Sequence, residues 1–240
     1  MAAAGVNIDP RVVDRLAAYR HRLVKMAKEC LTIANDETGG HTRLHMSESQ
    51  YLIYKVWKRL RSYGDPVRMD ILKSRQTYAS AITSALGFRE LYFSARKTKF
   101  VMISYKWESV KEIMDYYELF AMNLPEGMNS RPYAYHSQAP YLFQWKDTKS
   151  RIDTASGEND DPVRGGNKLF AHFSEMAFYH NAVKLMTASL QGIPLIGGTT
   201  IIRESTANGF DPFWSKAWEH DTEIAKDICQ QYGALDVWDM

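Results

Sequence analysis

Two apolar runs, each leading into a polar turn, constrain this chain most. Leu169-Phe170-Ala171-His172-Phe173 is short and aromatic-rich, which marks a buried strand, and an acid, Glu175, stands just past its end. After a helical interval at 181–191 comes a second run, Thr199-Thr200-Ile201-Ile202, which passes into Glu204-Ser205-Thr206-Ala207-Asn208-Gly209. Strands separated by a helix are expected to lie parallel, and the carboxyl ends of neighbouring parallel strands form a crevice where ligands bind. An acid at one tip beside a Ser/Thr/Asn cluster at the next suits a nucleotide-hydrolysing site.

The remainder of the chain supplies the other layers of such a fold. Residues 10–35 carry Val12, Val13, Leu16, Leu23, Met26 and Leu31 at roughly helical spacing, which predicts one amphipathic helix closed by turn residues at 36–40. Its row of Arg and Lys suits a solvated face or contact with DNA or an acidic partner. A second helix is expected over 47–63, with Ser47 as N-cap. Residues 67–72 read as a short strand, followed by the polar loop Lys73-Ser74-Arg75-Gln76-Thr77-Tyr78-Ala79-Ser80 and a helix over 81–93. Strand, polar loop and helix form the context in which backbone N–H groups and a helix N-terminus hold phosphates, although this loop lacks the glycines and the Gly-Lys-Ser/Thr ending of the general motif.

Further strands are expected at 99–104, 141–143 and 151–154, and a helix capped by Ser109 at 109–124. The loop 156–167 has the composition of either a lid or a plain surface connection, and helical stretches are expected near 214–218 and 223–232. The alternation predicts an α/β fold: a mostly parallel sheet with helices on both faces, preceded by an N-terminal helical segment.

Composition excludes several classes. A hydrophobic share of 45% with 24% charged residues is that of a folded chain, and a net charge of +2 is too small to argue for nucleic acid by itself. Cys30 and Cys229 have no metal-type spacing, so a reducing compartment is expected. No apolar run reaches membrane-spanning length, and residues 1–7 lack the pattern of a signal peptide. His41 and His45 are four apart, but Gly39 and Gly40 argue against the helix that would bring them to one metal.

Taken together, these pieces resemble the ATPase domain of bacteriophage large terminases, the motors that package viral DNA into capsids. Lys73-Ser74-Arg75-Gln76 is similar to the family's variant Walker A, and Phe173-Ser174-Glu175-Met176-Ala177-Phe178 to its Walker B. Arg203-Glu204-Ser205-Thr206-Ala207-Asn208-Gly209 is similar to its coupling motif. Met46-Ser47-Glu48-Ser49-Gln50 sits where the family places an adenine-reading glutamine.

The resemblance implies a P-loop NTPase-like domain over 46–220, between a helical segment at 1–45 and a C-terminal helix or tail at 221–240. It implies ATP and Mg²⁺ as cofactors. Lys73 and Arg75 would neutralise phosphate charge, with Ser74 and Gln76 completing the loop around the nucleotide. Ser80 would offer its hydroxyl to Mg²⁺ beside Ser174, which stands where some members carry a metal-binding Asp. Glu175 would orient and deprotonate the attacking water. Ser205, Thr206 and Asn208 would sense the γ-phosphate, and Gln50 would read the adenine edge.

The implied partners are double-stranded DNA, the phage portal and the small terminase subunit. A separate nuclease subunit and a homo-oligomer on the capsid are implied as well, with no membrane contact, in the cytoplasm of a bacterial host. Too few residues follow Trp218 for the ribonuclease-H-type domain with which complete large terminases continue, so a truncated product, part of a split terminase or a fragment is expected. Tyr78 occupies a position where the family usually has glycine and could crowd the phosphates. That favours a competing reading, a non-hydrolysing assembly or DNA-binding subunit. A helicase-like ATPase is the other alternative, weakened by the Ser-Thr-Ala-Asn-Gly context.

Overall fold

The computed structural model describes residues 10–35, 38–75, 77–129, 131–158, 167–209 and 213–232. Nine strands and seven helices are found among them: α1 Pro10–His21, α2 Leu23–Cys30, β1 Thr32–Asn35, β2 Gly40–Arg43, α3 Glu48–Ser62, β3 Val67–Leu72, α4 Ala79–Tyr92 and β4 Lys99–Ser104. There follow α5 Trp107–Met122, β5 Tyr133–His136, β6 Leu142–Trp145, β7 Arg151–Ser156, β8 Lys168–Ser174, α6 Ala182–Leu190, β9 Thr200–Ser205 and α7 Trp214–Tyr232. A single 3-10 turn, Met176–Phe178, follows β8.

Seven strands make one sheet in the order β3-β9-β8-β4-β7-β6-β5. The first five are parallel, and the β6 and β5 hairpin adds an antiparallel edge. Both faces are covered, as alternation along β4 requires. Phe100 and Met102 join the core under α2, α3, α4 and α5, while Val101 and Ile103 join the core under α6 and Trp214 of α7. The expected α/β fold is therefore the one formed. Its middle helix, α4, is buried over most of its length, and Gly87 explains how it fits. A Cβ there would lie 2.5 Å from the Tyr117 hydroxyl on α5.

Four local expectations are corrected. The single helix over 10–35 is two helices and a strand. Arg22 leaves helical geometry at φ −127°, ψ 86°, and the β-branched Thr32 and Ile33 then pair with Arg43 and Thr42 in an antiparallel ribbon. The helix placed at 109–124 begins at Trp107 with Lys106 as N-cap, and Glu108 supplies the favourable first-turn acid. The aromatic stretch from 133 holds an additional strand, β5, whose Tyr133 stacks on Phe143 of β6. The two helical stretches near the C-terminus are one helix, α7. Most of the loop expected at 156–167, and part of the turn at 36–40, lie outside the described residues.

Strand order is what builds the site. β9 lies between β3 and β8, in register from Val67↔Thr200 to Leu72↔Ser205 on one side and from Phe170↔Thr200 to Ser174↔Glu204 on the other. The tip of β9 is therefore held between the loop that leaves β3 and the acid that follows β8.

Candidate functional site

Lys73 is the first residue past β3, and its backbone N–H donates to the Ser205 carbonyl of β9 at 3.0 Å. That bond fixes where the side chain starts. Its ammonium lies 3.1 Å from Glu175 Oε1, 3.3 Å from Glu204 Oε2 and 3.4 Å from Ser80 Oγ. Burial pulls the Lys73 ammonium down, but the Glu204 and Glu175 carboxylates outweigh it, so its pKa is raised and it stays charged.

Glu204 is the group the sequence reading overlooked. Its side chain is 0% exposed, and it receives hydrogen bonds from Ser80 Oγ and from His172 Nε2, the latter at 2.8 Å. Its second oxygen faces the Lys73 ammonium without a hydrogen bond of good geometry. Burial pushes this carboxyl up. Its contacts with His172, Lys73 and Ser80 more than offset that and hold it at about 2, so it is an anion. His172 is the one ionisable side chain in its apolar run, and its Nδ1 is buried without a hydrogen-bond partner among the described residues. A partial signal was present: His172 is set within one apolar run, and Glu204 lies two residues past the other.

Glu175 takes a left-handed backbone, φ 56°, ψ 43°, as it enters the 3-10 turn. Such a conformation costs a non-glycine residue about 1–2 kcal/mol and is characteristic of sites where the surroundings hold it. The surroundings here come from β9. Thr206 Oγ1 donates to Glu175 Oε2 at 3.3 Å, Ala177 N–H donates to Ser205 Oγ at 3.1 Å, and Asn208 Nδ2 donates to the Ala177 carbonyl at 3.1 Å. The Ser205-Thr206-Asn208 segment thus clasps the turn that carries the acid.

The loop between Lys73 and α4 ends at Tyr78, also left-handed at φ 51°, ψ 34°. Tyrosine here adopts a conformation that glycine takes without strain. The residue is 51% exposed, and its carbonyl accepts from Gln50 Nε2 at 3.0 Å. The N-terminus of α4 has no side-chain cap and no acid in its first turn. That contrasts with α3, where Ser47 and Gln50 form a complete capping box. An uncapped helix N-terminus is a ready anion site.

The structure therefore brings together Lys73, Ser80, Ser174, Glu175 and Thr206 around Glu204, with Ser80 Oγ and Ser174 Oγ 3.5 Å apart. Ser205 and Asn208 form the clasp behind them. Gln50 is buried and committed to the chain itself, its Oε1 accepting from Ser47 N at 3.0 Å. Ser74 and Arg75 are exposed on the loop, and Gln76 lies outside the described residues.

A strand–loop–helix unit next to a strand bearing a Ser/Thr/Asn tip, and an acid one strand further on, defines a P-loop NTPase-like α/β fold. One solved structure of the same architecture is a phage large terminase. The large terminase of bacteriophage HK97 superimposes with a TM-score of 0.67 at 12% sequence identity, over 87% of this chain and 42% of that one. The ATPase domain of a Thermus phage large terminase matches at 0.46 and 15% identity, over 71% of this chain and 84% of that one. The large terminase of a thermophilic bacteriophage in complex with ADP matches at 0.48 and 12% identity, over 78% and 49% of the two chains. The chain spans less than half the length of the HK97 protein. No protein-family model matches the sequence, and no curated protein matches it.

Proposed function

We propose that this chain is an ATPase of the large-terminase kind, which couples ATP hydrolysis to the packaging of double-stranded DNA. One observation carries the reading: a partly buried lysine just past β3 reaches across to the acid after β8, beside the uncapped N-terminus of α4. The HK97 terminase fold supports it.

The residues present fit the groups this activity needs. Ser80, Ser174 and Glu204 offer oxygen donors alone, which suits a hard cation such as Mg²⁺. Ser80 and Ser174 would hold the ion, which when bound neutralises charge on the β- and γ-phosphates. Lys73 is now shared by Glu175 and Glu204. An arriving triphosphate competes for the ammonium, and Glu175 is then released to accept a proton from the attacking water. Arg75 and Ser74, exposed on the loop, add positive charge and a hydroxyl toward the phosphates, and Gln76 is the next residue in sequence. Thr206 touches Glu175 directly, so the Ser205-Thr206-Asn208 clasp is the element that responds when the acid moves. Adenine recognition by Gln50 would share an amide that already holds the loop through Tyr78.

As partners we propose double-stranded DNA, the portal, the small terminase subunit, a separate nuclease subunit and further copies of this chain, within a bacterial host. The exposed basic side chains of Arg15, Arg20, Arg22 and Lys28 on α1, α2 and the residue between them support a nucleic-acid contact. No helix among the described residues is long and apolar enough to cross a membrane.

One observation favours a second reading, a non-hydrolysing assembly subunit: the left-handed Tyr78 narrows the choice of loop paths around a phosphate. Titration with a fluorescent ATP analogue and Mg²⁺ separates the two. Saturable binding, weakened about tenfold in Ser80→Ala through loss of an oxygen ligand to the ion, supports the ATPase. Folded protein that binds no nucleotide would leave the assembly subunit.

A further inference from the structure

At the amino-terminal end of the sheet, where β4 and β9 begin, lies a second concavity of about 580 Å³. Its walls come from α3, α4, the end of α1 and the residues leading into β4. Five cationic side chains line it, Arg20, Lys58, Arg61, Arg89 and Arg96, against a single acid, Glu90. Glu90 is already spent twice, accepting from Arg61 Nη2 at 3.1 Å and from Arg89 Nη1 at 3.0 Å.

Arg89 Nη2 donates to the Arg20 carbonyl, but other donors stay unmatched. Arg61 Nη1, Arg89 Nε and the hydroxyl of Thr98 are buried and have no hydrogen-bond partner among the described residues. Thr98 is only 6% exposed and lines the same cavity. The guanidinium carbons of Arg61 and Arg89 sit 5.7 and 5.6 Å from the ring centre of Trp57, which is itself buried. The indole fixes both forks in place, but a ring face accepts no ordinary hydrogen bond in the guanidinium plane. Like charges gathered with unpaired buried donors are costly unless an anion completes them. A solvated basic face would instead leave its guanidinium groups in water.

We propose that this cavity is an oxyanion site for a phosphoryl group, gripped by Arg61, Arg89 and the Thr98 hydroxyl, with Lys58 and Arg96 at its exposed rim. The chemistry is that of a phosphate ester or a free phosphate, whose several anionic oxygens can accept together from the one unpartnered nitrogen of each guanidinium and from the Thr98 hydroxyl. The group reaches the site either as a small free phosphate or as a phosphodiester of nucleic acid. The inference is independent of the nucleotide reading, because the cavity shares no residue with the Lys73 site.

The test uses two probes on the full chain: inorganic pyrophosphate, followed by calorimetric titration and by the unfolding temperature, and a short labelled DNA duplex, followed by anisotropy. Two variants are compared with wild type, Thr98→Val and the double variant Lys58→Glu with Arg96→Glu. Thr98→Val removes an unpartnered hydroxyl at nearly constant volume and should leave the fold intact. The double variant reverses only exposed charges. We expect pyrophosphate to raise the unfolding temperature of wild type, and both variants to lose at least fivefold in pyrophosphate affinity. If duplex binding falls in the same two variants, the phosphate is supplied by nucleic acid; if only pyrophosphate binding falls, it is a free phosphate. Unchanged affinity for both probes in both variants, with folding intact, would overturn the site.

Discussion

At the carboxyl end of the central sheet one ammonium is shared between two carboxylates, Glu175 and Glu204; at the amino end five cations line a cavity with one carboxylate, Glu90, which pairs with two of them. The first arrangement is self-paired. Every charge in it has a counter-charge within hydrogen-bonding distance, so a ligand gains entry only by exchange. The second arrangement has donors left over and gains by addition. The two differ in burial too. Glu204 is fully enclosed, whereas Lys58 and Arg96 at the opposite end reach solvent. Charge at the first end should therefore be costly to unbalance, and charge at the second cheap.

The largest expected effect follows directly. Lys73→Met strands the Glu204 anion in the interior and should cost about 3–5 kcal/mol of stability in urea unfolding. Arg61→Met at the other end removes a half-exposed pair from a crowd of like charges. It should cost no more than about 1 kcal/mol. Equal losses would erase the contrast.

Acid sharpens the same comparison. Glu204 has a folded pKa of about 2 against an ordinary value of 4.5. The depressed value means that its stabilisation is fully present above pH 4.5 and is lost as pH falls toward 2, a term on the order of 3 kcal/mol. Chemical denaturation of wild type and Glu204→Gln across that window should give a shallower slope for the variant. Parallel curves would show that Glu204 does not carry the effect.

The smallest effect concerns the loop. Tyr78→Gly removes left-handed strain but adds freedom to the unfolded chain, so a net stabilisation of at most about 1 kcal/mol is expected. A marked loss of stability would show that the ring packs where exposure says it does not.

Much of the fold was legible because its signals are local. Ser47 and Gln50 spell out a cap on α3, and the apolar runs of β4, β8 and β9 are short and bounded by polar residues. The break at Arg22 was hidden because apolar spacing continues through it into α2, although Thr32 and Ile33 announced a strand. β5 was hidden within an aromatic stretch whose alternation is legible only against its partner β6. The acid at 175 stood out by its place after an apolar run. Glu204 did not, because what makes it important is its neighbours. Lys73, Ser80 and His172 are far from it in sequence, and only the placing of β9 between β3 and β8 gathers them. Gln50 carries contacts that its sequence position did not announce: its amide ties the α3 cap to the Tyr78 carbonyl before α4.

The central claim is that Glu175, held by Lys73 and Thr206, is the base of an ATP-hydrolysing site. Phosphate release by wild type and Glu175→Gln, measured with and without double-stranded DNA, tests it most directly. The account predicts Mg²⁺-dependent turnover in wild type, stimulated by DNA, and a fall on the order of 10² or more in the variant with ATP-analogue binding retained. Equal turnover by the two proteins would contradict it.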